Sequence, residues 1–242
     1  MSLDQKRARA FGVLYLITFV TSIPALILYE PALRHPVAFV AGDGNVNKIY
    51  LGALLELLLI IANIGTAVVI VPIMRRQFEE LSIGYVTARI VACTFILVGI
   101  VAMLGMATLQ QEAAGATEGT LAYTLAAIKD WTFLLGPGWM VGWGNGLILG
   151  YLMYRTGLVA RRVTWLGLVG GPLIIISGTV VMFGGDHGAG SFQGLATIPE
   201  GLWELFLGVY CTIWGFKPDA PILSESGSTT TVGAPILAGS AR

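Results

Sequence analysis

The chain has 242 residues, is 55% hydrophobic and only 12% charged, and has a mean hydropathy of +0.78. A water-soluble domain carries about 25% charged residues, so this composition excludes a globular protein wetted on all sides. Fourteen basic residues balance fourteen acidic ones, which leaves no net positive surface for nucleic acid.

Six apolar stretches follow one another, at residues 11–29, 49–74, 85–109, 130–154, 164–184 and 195–216. Each holds about 19 to 26 residues, and about 20 are needed to cross a hydrocarbon core of about 30 Å. Unpaired backbone groups are not tolerated against lipid, so each stretch is predicted to be a helix. The alternating ten-residue segments of an outer-membrane barrel (about 10 residues each) are absent. The predicted fold is therefore all-α: one six-helix transmembrane bundle over residues 1–216, in the cytoplasmic (plasma) membrane with the lipid bilayer as its partner.

The first stretch follows Lys6, Arg7 and Arg9, as a signal peptide would. No convincing A-x-A site follows it and five more runs do, so it is read as a retained first helix. With the N-terminus inside, the inner segments hold Lys6, Arg7, Arg9, Arg75, Arg76, Arg155, Arg161, Arg162, Lys217 and Arg242. The outer segments hold only Arg34, Lys48 and Lys129. Basic residues favour the cytoplasmic side, so both termini are predicted to be cytoplasmic.

In the second stretch Glu56 lies beyond the first turn, and Asn63, seven residues on, falls on the same helix face two turns deeper. Arg89 in the third stretch is placed about one turn from the inner boundary, where its side chain can snorkel to the headgroups as an interface anchor. A bridge from Arg89 to Glu56 would have to span about 14 Å of depth and is not expected. Asp130 opens the fourth stretch. Gly136, Pro137 and Gly138 then interrupt its beginning, and Gly138, Gly142, Gly146 and Gly150 recur at every fourth position. That spacing leaves a bare stripe for close helix crossing; a broken helix at Pro137 can instead line a substrate site. Trp139 and Trp143 stand beside the stripe, and Asn145 is a candidate partner for another helix. In the sixth stretch Glu200 and Glu204 lie one turn apart on one face. Asp130 and Glu200 have a plain explanation as carboxylates near helix N-termini. Glu56 and Glu204 do not, and intramembrane carboxylates are candidates for a proton or substrate site.

From Lys217 onward the chain is rich in Ser, Thr, Gly and Pro, and residues 217–242 are predicted to be a disordered cytoplasmic tail. Cys93 and Cys211 lie within apolar runs and read as small hydrophobes rather than a disulfide. The two histidines, His35 and His187, fall in outer loops. Asp186 and His187 alone are too few for a metal site, and no catalytic or nucleotide-cofactor motif is present. No metal and no cofactor are expected.

Residues 11–29, 51–72 (with LGALLELLLIIANIGTAVV), 130–138 (DWTFLLGPG), 146–158 (GLILGYLMYRTGL) and 198–218 (with IPEGLWELFLGVY and GFKP) resemble the bacterial integral membrane proteins of domain-of-unknown-function family 4386. The resemblance runs to about Pro218. It implies a multispanning membrane protein without an assigned activity, and supplies no catalytic residues. Two positions depart from the family's pattern: Ala92 stands where a Glu follows the third-helix arginine by three residues, and Lys129 where a His precedes Asp-Trp. An Arg–Glu pair at that spacing shares one helix face, so Arg89 lacks that neighbour here.

Three functions remain open from the sequence. A small carrier or proton-coupled transporter would use the outer-half carboxylates and have a cavity lined by them. A structural or accessory subunit would use an exposed small-residue face to meet a membrane-protein partner or a second copy. A membrane enzyme acting on lipid would need two carboxylates serving as acid and base.

Overall fold

The apolar runs fold as helices whose starts are marked by capping residues. In the computed structural model, which describes residues 1–112, 118–185 and 191–224, Ser2 caps the first helix, its hydroxyl accepting the Gln5 N–H at 3.3 Å. Asn45 and Ser191 cap two later helices in the same way, since side-chain oxygens satisfy the orphan N–H groups of a first turn. The elements are α1 (Leu3–Arg34), α2 (Pro36–Ala38), the π-helical π1 (Phe39–Asp43), α3 (Val46–Met74), α4 (Glu79–Glu112), α5 (Glu118–Phe133), π2 (Leu134–Met140), π3 (Gly142–Leu149), α6 (Gly150–Thr156), α7 (Arg161–Met182), α8 (Phe192–Ile213) and α9 (Pro221–Ser224). No strand occurs among the described residues.

Four of these helices, α1, α3, α4 and α7, are long and apolar enough to cross a membrane. The sixth expected run is α8, a continuous 22-residue helix whose apolarity is lowered by Glu200 and Glu204. The fourth is no single α-helix: α5, π2, π3 and α6 follow each other through it. α1 packs on α3, α3 on α4, α4 on α5 and π2, π3 on α7, α7 on α8, and α8 returns to α1. The chain thus closes a ring of packed rods.

Three expectations about segment ends are corrected. Helix α5 begins at Glu118, not near Asp130, so Lys129 is a helix residue and not part of an outer loop. Helix α4 begins at Glu79, six residues before the apolar run, because Glu79 and Glu80 suit a helix start. The tail does not begin at Lys217 as a disordered segment: Ala220 and Ile222 are buried, and α9 follows. Residues 225–242, like Asp186 and His187, lie outside the described residues.

Two apolar clusters hold the ends of the bundle. One, at the end bearing the N-terminus, gathers Phe11, Tyr15, Ile70, Met74, Tyr85, Leu152, Trp203 and Phe216. The other gathers Tyr29, Ile49, Met103, Met106 and Ala122. The outer surface is equally apolar, with Val20, Ile61, Val68, Val101 and Trp214 each more than 60% exposed. Water would not tolerate such a belt, whereas lipid would.

Candidate functional site

A cavity of about 700 Å³ lies between α1, α5, π2, α7 and α8. Its walls are apolar, from Leu26, Trp131, Leu134, Val141 and Ile174. Its charged lining residues are Asp130, Glu200 and Glu204, and none of the described lining residues is Lys, Arg or His. Pro137 and Gly138 belong to the wall, so the interrupted segment singled out in the sequence borders this space.

The wall is shaped by the π-helical stretch. Pro137 has no N–H to donate, so an α-helical ladder through it is already incomplete. Past it the bonds run one residue longer: the Val141 N–H reaches the Gly136 carbonyl, and the Gly150 N–H the Asn145 carbonyl. π-Helical turns are rare and concentrate at functional sites. Here the altered winding turns Asn145 toward α8, where its Nδ2 donates to Glu204 Oε1. The Asn145 carbonyl also accepts the Trp203 Nε1–H at 3.1 Å. Asn145 is therefore fixed to α8 through both its backbone and its side chain.

Glu200 is the sharpest feature. It is 2% exposed, and neither carboxylate oxygen meets a hydrogen-bond donor. The side chain occupies a slot bounded by glycines. A Cβ on Gly146 would stand 2.7 Å from Glu200 Oε2, and one on Gly170 3.0 Å from it. Glycine at both positions makes the room that the carboxyl fills.

The same glycines bring π3 and α7 together. A Cβ on Gly146 would also collide with Gly171 Cα, and one on Gly142 with Ile174 and with the Gly171 carbonyl. Gly150 abuts Leu168 more loosely, and Gly136 faces Phe95 and Ala92 of α4. Gly138 differs, with only the Phe133 carbonyl near its Cβ direction, at 3.6 Å. The stripe is thus buried against neighbouring helices, apart from Gly138 in the cavity wall. Trp139 donates to Thr179 Oγ1 at 3.3 Å and stacks on Trp143, which faces outward.

Arg89 is not an interface anchor. It is 3% exposed. Because α4 starts at Glu79, it lies ten residues into the helix, about 15 Å along the axis. Its Nη1 donates to Asn63 Oδ1 at 2.8 Å and its Nε to the Tyr85 hydroxyl at 3.1 Å. Its guanidinium carbon stands 5.1 Å from the centre of the Tyr15 ring, a cation–π distance. It interacts electrostatically with Glu204. Ala92, where the resemblance expects Glu, instead faces Gly136.

Glu56 lies apart from the cavity lining and is paired. Lys129 Nζ stands 2.6 and 2.7 Å from its two carboxylate oxygens, and 4.9 Å from the centre of the Tyr29 ring. Glu56 and Asn63 do share the buried face of α3, but they serve different cations, Lys129 and Arg89. Asp130 sits exposed at the cavity rim. The structure therefore brings Glu200, Glu204 and Asp130 around one space with Pro137 and Gly138, and moves Glu56 and Asn63 to neighbouring polar centres. Lys129, Tyr29, Tyr15 and Tyr85 were not singled out as site residues. For Lys129 a signal existed: Ala122, Ala126 and Lys129 recur at helical spacing and are all buried. Among the described residues, no three His, Cys, Asp or Glu side chains converge as a metal site requires.

The fold and site define an all-α protein with apolar, membrane-length helices around a carboxylate-bearing cavity. A family model described as a domain of unknown function, DUF4386, matches residues 10–215, and the chain belongs to that family. Searches of the curated proteins and of the solved structures returned no match.

Proposed function

We propose that the protein is a small carrier of the cytoplasmic membrane, proton-coupled, with six spans, both termini cytoplasmic, and Glu200 and Glu204 at its centre. The observation that carries this reading is the cavity with Glu200 in its lining, almost fully buried and with neither carboxylate oxygen bonded. A lone ionised carboxylate in such surroundings is costly. Glu200 therefore needs a proton or a cation as companion, and a transport site supplies that need in turn. The π-helical wall supports the reading, since transporters build their sites where a helix is interrupted. The accessory-subunit reading, in which the glycine stripe packs helices, agrees with the stripe's contacts inside the bundle but calls for no cavity, and the carboxylate-lined space favours the carrier.

A carrier must open its site to each side of the membrane in turn, and Gly201 offers a probe. It lines the cavity, and a Cβ there would meet no atom within 4 Å. The native thiols Cys93 and Cys211 are buried and give a low background. In Gly201→Cys, a membrane-impermeant maleimide is expected to react in right-side-out vesicles and again, more slowly, in inverted ones. Ala196→Cys, at a buried position of the same helix, should stay unreactive. Labelling of Gly201→Cys from one side only would rule out a carrier.

A further inference from the structure

We infer that the cavity between α5, π2, α7 and α8 is a binding site for a lipophilic organic cation. The inference rests on the carrier reading and adds the class of its cargo. The space, about 700 Å³, falls within the range of about 300–1,000 Å³ typical of small-molecule sites. Its walls are aliphatic and aromatic, and they include Trp131, a side chain of the kind that attracts cations. Its fixed charge is of one sign. Asp130 stands at the rim, and Glu200 and Glu204 belong to the lining.

The neighbouring cations stay outside the lining. Lys129 is held by Glu56. Arg89 bonds Asn63 and Tyr85 and is not part of the lining; its charge acts on Glu204 and Glu200 without a hydrogen bond to either. Glu204 is held in place by Asn145, and both oxygens of Glu200 remain without a donor. A hydrophobic cation satisfies both halves of this environment, its body against the apolar walls and its charge near the carboxylates. The absence of Lys, Arg and His from the described lining leaves no cationic side chain there to meet a phosphate. That favours a free organic cation over the ammonium of a phospholipid headgroup. Leu26, Trp131 and Phe133 are exposed where they border the space, so an apolar molecule finds an apolar edge to enter by.

The test uses two probes of the same shape and opposite charge, tetraphenylphosphonium and tetraphenylborate, titrated calorimetrically into the purified full-length protein in one detergent. Tetraphenylphosphonium is expected to bind at least about ten-fold more tightly than tetraphenylborate. Glu204→Gln and Glu200→Gln should each weaken it by about that factor, with unchanged helix content and thermal midpoint showing an intact fold. Displacement of bound tetraphenylphosphonium by a short-chain phosphatidylcholine, but not by its detergent, would overturn the free-cation assignment in favour of a lipid headgroup. Equal binding of both probes, preference for the borate, or binding of neither would overturn the cation inference. The carrier reading is decided separately: Gly201→Cys labelled from both sides with no phosphonium bound would leave a carrier of another cargo, whereas one-sided labelling with phosphonium bound would leave a cation-binding site in a protein that is not a carrier.

Discussion

At the scale of single residues, the buried ion pair of Glu56 and Lys129 is the clearest liability. Their side chains are only 10% and 4% exposed, so each charge depends on the other. Removing one partner of a buried pair costs about 3–5 kcal/mol, because the survivor is left uncompensated, while replacing both by apolar groups is often neutral. Glu56→Gln is therefore expected to lower the thermal midpoint sharply, and Glu56→Met with Lys129→Met to recover most of the loss. The check is thermal unfolding of the three proteins in one detergent; equal midpoints for Glu56→Gln and the native chain would mean that the pair holds nothing. Glu56 and Asn63 were legible as polar residues on one helix face because a seven-residue spacing needs no tertiary information. Their specific pairings were not. Lys129 reads as a loop residue when charge alone marks the end of an apolar run, and Arg89 reads as shallow when a helix is started at its first apolar residue. Both errors have one cause: α4 and α5 begin well before the stretches read as spans, at Glu79 and Glu118, which carries basic residues into the interior.

At the scale of elements, the crossing of π3 on α7 depends on absent side chains. Both helices present glycine at the contact, Gly142 and Gly146 against Gly171. In lipid, where apolar burial drives little association between helices, such close approach and its van der Waals contact are the main glue. Gly146→Ala places a methyl against Gly171 Cα and Glu200 Oε2, both of which have to move. Overpacking of this kind costs about 1–3 kcal/mol. Gly138→Ala meets only ordinary contact and should be tolerated, as Ala also suits a helix better than Gly. Thermal midpoints of the two variants distinguish a specific crossing from a generally glycine-rich helix; a similar loss in both would refute it. The four-residue spacing revealed a packing stripe in the sequence, but not its hydrogen bonding. A π-helical turn differs from an α-helical one by a single residue in its ladder, and Pro137 announces only that the ladder is broken, not how it is resumed.

For the whole molecule, the cavity and the closure lie at opposite ends. The cavity draws on the first half of α8, including Gln193, Gly194 and Thr197, whereas the N-terminal end of the bundle is sealed by its apolar cluster and by a polar clasp. Arg76 donates to both carboxylate oxygens of Asp4, at 2.9 and 2.8 Å, and to the Ile222 carbonyl at 3.4 Å. Gln5 donates to the Phe216 carbonyl at 2.6 Å and accepts the Phe216 N–H at 3.1 Å. Gly215 sits between α8 and this contact with φ of 75°, a conformation natural to glycine. A side chain there would overlap the Gln5 amide. These bonds tie α1, the α3–α4 connection and the segment after α8 into one closed end, and the proposed carrier would have to release them to open at this end. Cys211 reports that release. It is fully buried and lies where α1 and α8 touch, since a Cβ on Gly12 would stand 2.8 Å from its backbone carbon. Polar contacts this near the surface are worth about 0.2–1 kcal/mol each, so Asp4→Asn together with Gln5→Ala should speed alkylation of Cys211 by about two- to thirty-fold. Cys93, within α4, should keep its native rate. Unchanged Cys211 reactivity in the double variant would place the inward barrier in the apolar cluster of Phe11, Tyr15 and Trp203 and not in the clasp. A faster Cys211 would identify residues 217–224, expected from composition to be disordered, as part of the inner gate.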